Sequence, residues 1–514
     1  MDETRIEHQP NGGRDRRPGI SGIAVELPVF RVDLGRFCTW TGADQAKTRA
    51  VVGDSFRLAG PDENAYTLAA GAVLRLLDAF DVDPSDVGML VLATESSEDN
   101  AAGAVIVRGL VDEALEMAGR PPLARDCEVP EIKHACLAGV YGIEQAVRFV
   151  ATDGRGRVAI VVASDLAVYA RGSSGEPTQG AGAVAMLVES EARLLGVDLD
   201  KARGSSWYRG VDFRKPMARW FDPAYLERIG AGQDVPVFNG RYSTACYSEA
   251  VAAALEAFCD GNGDGCDPWR ILDAYDRFYF HRPYAHMPVQ GLAFAMTYVA
   301  ARAGGRPAWW RKAAEAAKVS YEDVEACARR PVPRHRDVGP QTVDQPFHPM
   351  VDAVAKALRR QPEFAAWVRD KMALGEASMR NFGNLYAASL PACLGAGLDA
   401  AATGGVSVDG ERWLAVGYGS GDAAEIVPLA VAPGATQRAT AIRLGDVLAR
   451  SRDLGKDEYA ALHAKRWEPW ALKSRPRAWF VARRGRTGEG AFVDVGIPYF
   501  EFHEAPRRPS SRPR

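Results

Sequence analysis

The chain has 514 residues, 47% of them apolar and 25% charged, with a formal net charge of -3. That is globular composition, enough for roughly two to four domain-sized units, and it excludes a nucleic-acid binder working through a global basic field. The eight cysteines are scattered, with no CxxC pair and no Cys/His metal spacing, which excludes a disulfide scaffold and a zinc site and suits a reducing cytosol.

Residues 1–18 are polar and broken by Gly and Pro, so they read as a disordered tail without the apolar stretch of a secretory signal. No apolar run approaches the length needed to span a membrane. The first unit, 19–200, alternates helix-like stretches (Tyr66 to Phe80, Ala101 to Glu116, Val140 to Val150) with short, almost wholly apolar runs. Those runs, 88–94, 157–163 and 181–188, have the pattern of strands covered on both faces. The second unit, 201–430, repeats the order: a strand at Asp276 to Phe280, an apolar helix from Asn384 to Ala401, and two strands from Arg412 to Val431 joined by Gly-Ser-Gly-Asp. This is α/β patterning in two similar halves. Within it, 305–375 reads as a mostly helical surface excursion, either a structural insertion or a lid or docking element. Residues 431–504 are expected to complete the second half, and the basic end 505–514 reads as a solvated, disordered tail.

Three residues attract chemical interest. Cys136, in EIKHACLAG, falls at or just before a helix N-terminus, where the helix dipole and the neighbours Lys133 and His134 favour a thiolate. Glu95 ends an apolar strand, the place where α/β sheets build their sites. His281 ends another, after Phe-Tyr-Phe. Each has a blander reading: a cysteine filling a core gap, an acidic helix-capping cluster, and a structural histidine. The run Gly417-Tyr-Gly-Ser-Gly421 does not have the G-x-S-x-G spacing around Ser420, which argues against a serine hydrolase.

Five motifs in order change the balance: ATES with Glu95, EIKHAC with Cys136, SDLAVYA followed by GEPTQGAGAVAM, FHRPY with His281, and GNLY followed by GYGSG. On these the chain resembles the 3-hydroxy-3-methylglutaryl-coenzyme A synthases of the thiolase superfamily, over about 20–300 and 375–430. The resemblance implies a five-layer α-β-α-β-α fold of two similar halves, a homodimer, and no metal or prosthetic group. It implies that Cys136 accepts acetyl from acetyl-CoA, that Glu95 deprotonates the acetyl methyl, and that His281 assists at the ketone oxygen of acetoacetyl-CoA. It makes Asp165, Tyr169, Thr178, Asp212, Asn384, Tyr386 and Ser420 the substrate-pocket residues. The glycines of Gly180-Ala-Gly-Ala are read instead as close strand packing.

The sequence departs from the family at His286 and Gln290, where coenzyme A-contacting lysines are usual; Arg214 and Lys215 are the substitutes considered. This leaves open a polyketide β-branching relative that takes acyl groups from a carrier protein, beside a mevalonate-pathway enzyme using free CoA thioesters. A non-catalytic binding subunit and a Cys-His hydrolase are the other readings.

Overall fold

The structure, a computed structural model, describes residues 17–217, 220–229, 235–262, 267–463 and 477–504. The two expected disordered tails lie almost entirely outside these residues; the first strand begins at Gly19. No helix of the described residues is long and apolar enough to cross a membrane.

The repeat expected from the sequence is present in the strand pairing. In the first half, strand Val87–Ala93 pairs parallel with Val158–Ala167. That strand turns back antiparallel onto Gly180–Glu189, which pairs antiparallel with Gly19–Glu26. In the second half, Arg277–Phe280 pairs parallel with Arg412–Gly419, which turns back onto Ala423–Val431, which pairs antiparallel with Arg203–Ser206. The short strand Leu195–Val197 hydrogen-bonds to both Gly19–Ile20 and Leu429–Val431, so the ladder runs through ten strands without a break.

Layering follows from burial on both sheet faces. The first-half strands are buried along almost their whole length, so each needs helices above and below. Helix Ala65–Ala79 covers one face of the first sheet, and helix Gly240–Asn262 the outer face of the second. Between the sheets lie Ala138–Ala151 and Ser389–Gly404. Gly142 of the former rests on Val91 and Val161 while Val140 meets Gly417 of the other sheet; Gly395 of the latter rests on Ile23 and Gly397 on Tyr279. Each central helix therefore touches both sheets, which completes five layers. The second central helix begins at Ser389, later than the expected Asn384, because Tyr386–Ala388 forms a separate 3-10 turn.

Two expectations about the periphery change. The excursion is helical (Ala308–Ala317, Tyr321–Ala328, Pro349–Leu358 and Pro362–Met372), but it is no surface addition. Trp310, Val324, Val351, Val354, Leu358 and Phe364 are fully buried in the core of the second half. The segment after 431 returns to the first half instead of completing the second. Arg452–Asp453 pairs with Phe30–Asp33, Trp479 of the hairpin Arg477–Arg484/Pro498–Glu504 enters the first core, and Tyr459 packs on Phe37 and Phe56. Apolar side chains at period three to four on these helices announce burial but not which core receives them.

The first central helix packs tightly at Gly139 against the 3-10 turn that leads into the second, where a Cβ would stand 2.2 Å from the carbonyl oxygen of Ala387. Backbone cannot yield there as a flexible side chain can. Gly139→Val is expected to destabilise the fold by about 2–3 kcal/mol through overpacking, read as a lowered urea midpoint; an unchanged midpoint would contradict this crossing.

Candidate active site

A cavity of about 900 Å3 opens between the two halves and is lined by Cys136, Tyr169, Thr178, His281, Asn384, Tyr386 and Ser420. The topology explains the convergence. Glu95 follows strand Val87–Ala93, Cys136 precedes helix Ala138–Ala151, and His281 follows strand Arg277–Phe280. Seven of the ten residues expected at the site thus face one space, and Glu95 borders it through Cys136.

At the centre the nucleophile candidate and the carboxylate are in contact: Cys136 Sγ donates to Glu95 Oε2 at 3.3 Å. Around the sulfur, Ala167, Tyr169 and Tyr386 form a small apolar cluster separate from the main cores, with Phe213 and Phe238 packed against it. Tyr169 meets Phe238, Phe213 and Tyr386 edge-on at 5.6, 6.2 and 6.4 Å between ring centroids. Aromatic walls of this kind exclude water from a reacting group without competing for it.

The thiol is not acidified in the resting site, contrary to expectation. Burial first, and then the charge and hydrogen bond of Glu95, hold Cys136 well above the ordinary thiol range, with Asp165 adding to the effect and Lys215 opposing it. The cations expected to help face elsewhere: Lys133 lies 3.5 Å from Glu131, and the His134 ring packs on Tyr141. Lys215, considered in the sequence only as a coenzyme A contact, stands 3.0 Å from Glu95 Oε1. It lies in VDFRKP, three residues after Asp212, and nothing in that motif tells which partner the lysine takes.

Asp165 and Asp212 do not line the cavity, which corrects their assignment as pocket residues. Asp165 is fully buried behind it. Its Oδ1 accepts from the backbone N–H groups of Glu95 and Ser96 at 2.9 and 3.0 Å and from the hydroxyls of Thr94 and Ser96 at 2.9 and 2.6 Å. Its Oδ2 accepts from Ala387 N–H at 2.9 Å. Burial and the Glu95 charge push this carboxyl up to about 6, yet all five partners are donors and match the carboxylate form. Asp212 Oδ2 accepts from Tyr418 hydroxyl at 3.0 Å and Gly421 N–H at 2.9 Å, tying its loop to the turn that carries Ser420.

The Asn384 loop is held just as closely. Asn384 N–H donates to the Thr178 carbonyl at 3.1 Å, and Asn384 Oδ1 accepts from Tyr386 N–H at 3.0 Å. A Cβ on Gly180 would stand 2.4 Å from the Asn384 carbonyl oxygen, so this glycine serves close packing as the sequence suggested. The excursion, unexpectedly, forms part of the cavity wall through Gln345, Phe347, His348 and Lys356. At the two positions that lack lysines, Gln290 lines the cavity and His286 Nε2 lies 2.8 Å from Arg359 Nη1 of the excursion. Arg214 instead bridges to Val237 through its backbone. Among the described residues no cluster of His, Cys, Asp and Glu could hold a metal ion.

A buried cysteine ahead of a central helix, between two like halves of a five-layer fold, defines a thiolase-like protein. The hydroxymethylglutaryl-coenzyme A synthase N-terminal family model matches residues 14–193. A hydroxymethylglutaryl-CoA synthase of Haloferax volcanii is 27% identical over 87% of this chain and 91% of its own length. That of Enterococcus faecalis is 30% identical over 53% of this chain and 63% of its own length. The solved structure of MvaS in complex with 3-hydroxy-3-methylglutaryl coenzyme A superposes with a TM-score of 0.72 at 26% identity, covering 95% of this chain and 99% of that one. Along most of its length the chain is thus similar to hydroxymethylglutaryl-CoA synthases, and its first half matches that family's N-terminal model.

His281 is 1% exposed, and its Nδ1 has no protein partner among the described residues. Burial lowers this imidazole from 6.5 to about 3. The unfolded chain therefore takes up a proton near 6.5 that the folded one refuses, so this group's stabilising contribution is complete above that pH and is lost as pH falls towards 3. In His281→Gln, the urea midpoint should fall less steeply between pH 7 and 4 than in the parent; an identical slope would rule out a buried neutral imidazole.

Proposed function

We propose that this chain condenses acetyl-CoA with acetoacetyl-CoA, or a similar β-ketoacyl thioester, to give 3-hydroxy-3-methylglutaryl-CoA. The observation that carries the reading is the thiol–carboxylate contact, Cys136 Sγ to Glu95 Oε2 at 3.3 Å, on a cavity that also holds a neutral, unpartnered His281.

In the first step the Cys136 proton passes to Glu95 Oε2, and the sulfur attacks the acetyl carbonyl carbon. The departing coenzyme A thiolate takes the proton, so acetyl-Cys136 and free CoA thiol result. An unacidified thiol suits this order, because the base is already in contact and the thiolate forms only as it reacts. Glu95, ionised again, removes a proton from the acetyl methyl. The resulting carbon nucleophile attacks the ketone carbon of the acceptor, forming the new carbon–carbon bond, and the ketone oxygen becomes an alkoxide. His281, neutral and lacking a protein partner at Nδ1, is placed to hydrogen-bond that oxygen as its charge develops. The alkoxide is then protonated, with net return of the Glu95 proton, to give the 3-hydroxyl group and the ionised carboxylate. Water cleaves the thioester to sulfur, its oxygen and one hydrogen going to the product carboxyl group and its other hydrogen to Cys136, which is restored as a thiol. Holding both acyl groups between one carboxylate and one imidazole supplies the proximity that a weak carbon acid requires.

The aromatic cluster of Tyr169, Phe213, Phe238 and Tyr386 is the surface that receives the small acetyl group. Arg241 and Lys356 on the cavity wall provide the positive charge for the nucleotide end of coenzyme A where lysines at 286 and 290 are lacking. That same lack supports, as a second reading, an acceptor carried on an acyl carrier protein. The enzyme acts as a homodimer in the cytoplasm under either reading.

Isotope-labelled acetyl-CoA should add one acetyl group to Cys136, found by mass spectrometry of its peptide, and Cys136→Ala should abolish both label and product. Glu95→Gln should lower condensation by about 10²- to 10⁴-fold, the usual worth of a general base. Unchanged condensation in Cys136→Ala would sink the proposal, and acetoacetyl-CoA run against acetoacetyl carrier protein separates the two acceptors.

A further inference from the structure

Lys215 is held in an unusual place for a lysine. Its side chain is 21% exposed, its ammonium is 3.0 Å from Glu95 Oε1, and Glu95 itself is 6% exposed. The same nitrogen sits 4.3 Å from the ring centroid of Tyr386 and 5.8 Å from that of Phe213. An ion pair largely withdrawn from water loses much of its hydration, and such pairs are weak contributors to stability. Yet the chain around this one is fixed from both sides. Arg214 exchanges backbone hydrogen bonds of 2.9 Å with Val237, and Asp212 is anchored on Tyr418 and Gly421.

The two oxygens of Glu95 have different partners. Oε1 takes the Lys215 ammonium, and Oε2 takes the Cys136 thiol. Thiol, carboxylate and ammonium together carry no net charge. After the sulfur proton moves to Oε2 the group is thiolate, carboxylic acid and ammonium, and still carries none. The transfer thus creates no unbalanced charge in a buried site, where such a charge would be most costly. Without the ammonium, the same transfer would leave an uncompensated negative charge on a sulfur in an aromatic cluster.

The other titratable groups that act on this sulfur oppose its ionisation. Asp165 raises it together with Glu95, the rings of Tyr169 and Tyr386 border it, and His134, itself acted on by Glu95, is held neutral by burial. Lys215 acts in the opposite direction.

We propose that Lys215 is a positioning residue of this site: it holds Glu95 by Oε1 so that Oε2 stays on the sulfur, and it is the positive charge against which Cys136 ionises. This rests on Cys136 being the nucleophile of the condensation.

The test follows alkylation of Cys136 by iodoacetamide between pH 6 and 10, quantified on its peptide by mass spectrometry, in the full-length parent chain and in Lys215→Met, Lys215→Gln and Lys215→Arg. Removing the charge should slow alkylation about tenfold across this range, a shift of the pH–rate curve by about one unit, as loss of an adjacent opposite charge does. Lys215→Arg should stay near the parent. Lys215→Gln, which keeps length and a donor, carries the test if the Met variant fails to fold, judged by its thermal midpoint. Parent-like alkylation in folded Met or Gln variants overturns the proposal, and so does an Arg variant shifted as far as they are. The measurement needs no acyl substrate. A chain that shows the shift but forms no hydroxymethylglutaryl product overturns the condensation reading alone; one that condenses without the shift overturns only the role of Lys215.

Discussion

Both halves of the molecule meet on the carboxylate of Asp165. Four donors from Thr94, Glu95 and Ser96 converge on one oxygen, and Ala387 N–H, from the foot of the second central helix, reaches the other. The backbone that presents Glu95 and the backbone that presents Tyr386 are thereby fixed to one group. Charge-assisted bonds of this kind are worth about twice a neutral one, and leaving any of these buried donors unpaired would cost about 1–3 kcal/mol. This bracket also bears on the position of the sulfur, because Cys136 lies just before the first central helix, which packs against Ala387 at Gly139.

With that bracket in place, the electrostatics of the site become a matter of which charges are allowed near the sulfur. The aromatic cluster removes water, which by itself favours the uncharged thiol. Glu95 is in hydrogen-bond contact with that thiol, and Lys215 pairs with its other oxygen. The same desolvation keeps His281 neutral, so the side of the cavity facing the second half offers a hydrogen-bonding group without adding a cation that would compete for Glu95. Thiol, carboxylate and imidazole are thus distinguished by burial and by their neighbours, and not by sequence distance.

Much of this was legible from the residues. Apolar runs covered on both faces, ending in Glu95 and His281, located both strands and both side chains, and the small-residue turn before YGIEQAVRFVA located Cys136. What the sequence could not carry was direction. Lys133 and His134 are adjacent to Cys136 in sequence yet turn away from it, while Lys215, far along the chain, pairs with the carboxylate in contact with it. Asp165 and Asp212 lie in the right motifs but one layer behind the cavity wall, a difference of depth that periodicity does not encode. The excursion misled for a related reason: its charged faces suggested a surface element, but its apolar faces, Trp310 and Leu358 among them, are buried in the second core.

The short strand Leu195–Val197 has a mechanical meaning. Hydrogen-bonded to Gly19–Ile20 on one side and Leu429–Val431 on the other, it rivets the two sheets along their shared edge. A hinge opening of the halves would have to tear that ladder and the Asp165 bracket together. Gln345 and Phe347, in the loop before helix Pro349–Leu358, and Lys356, on that helix, wall the cavity without belonging to either ladder or bracket, so this wall can shift without either being broken.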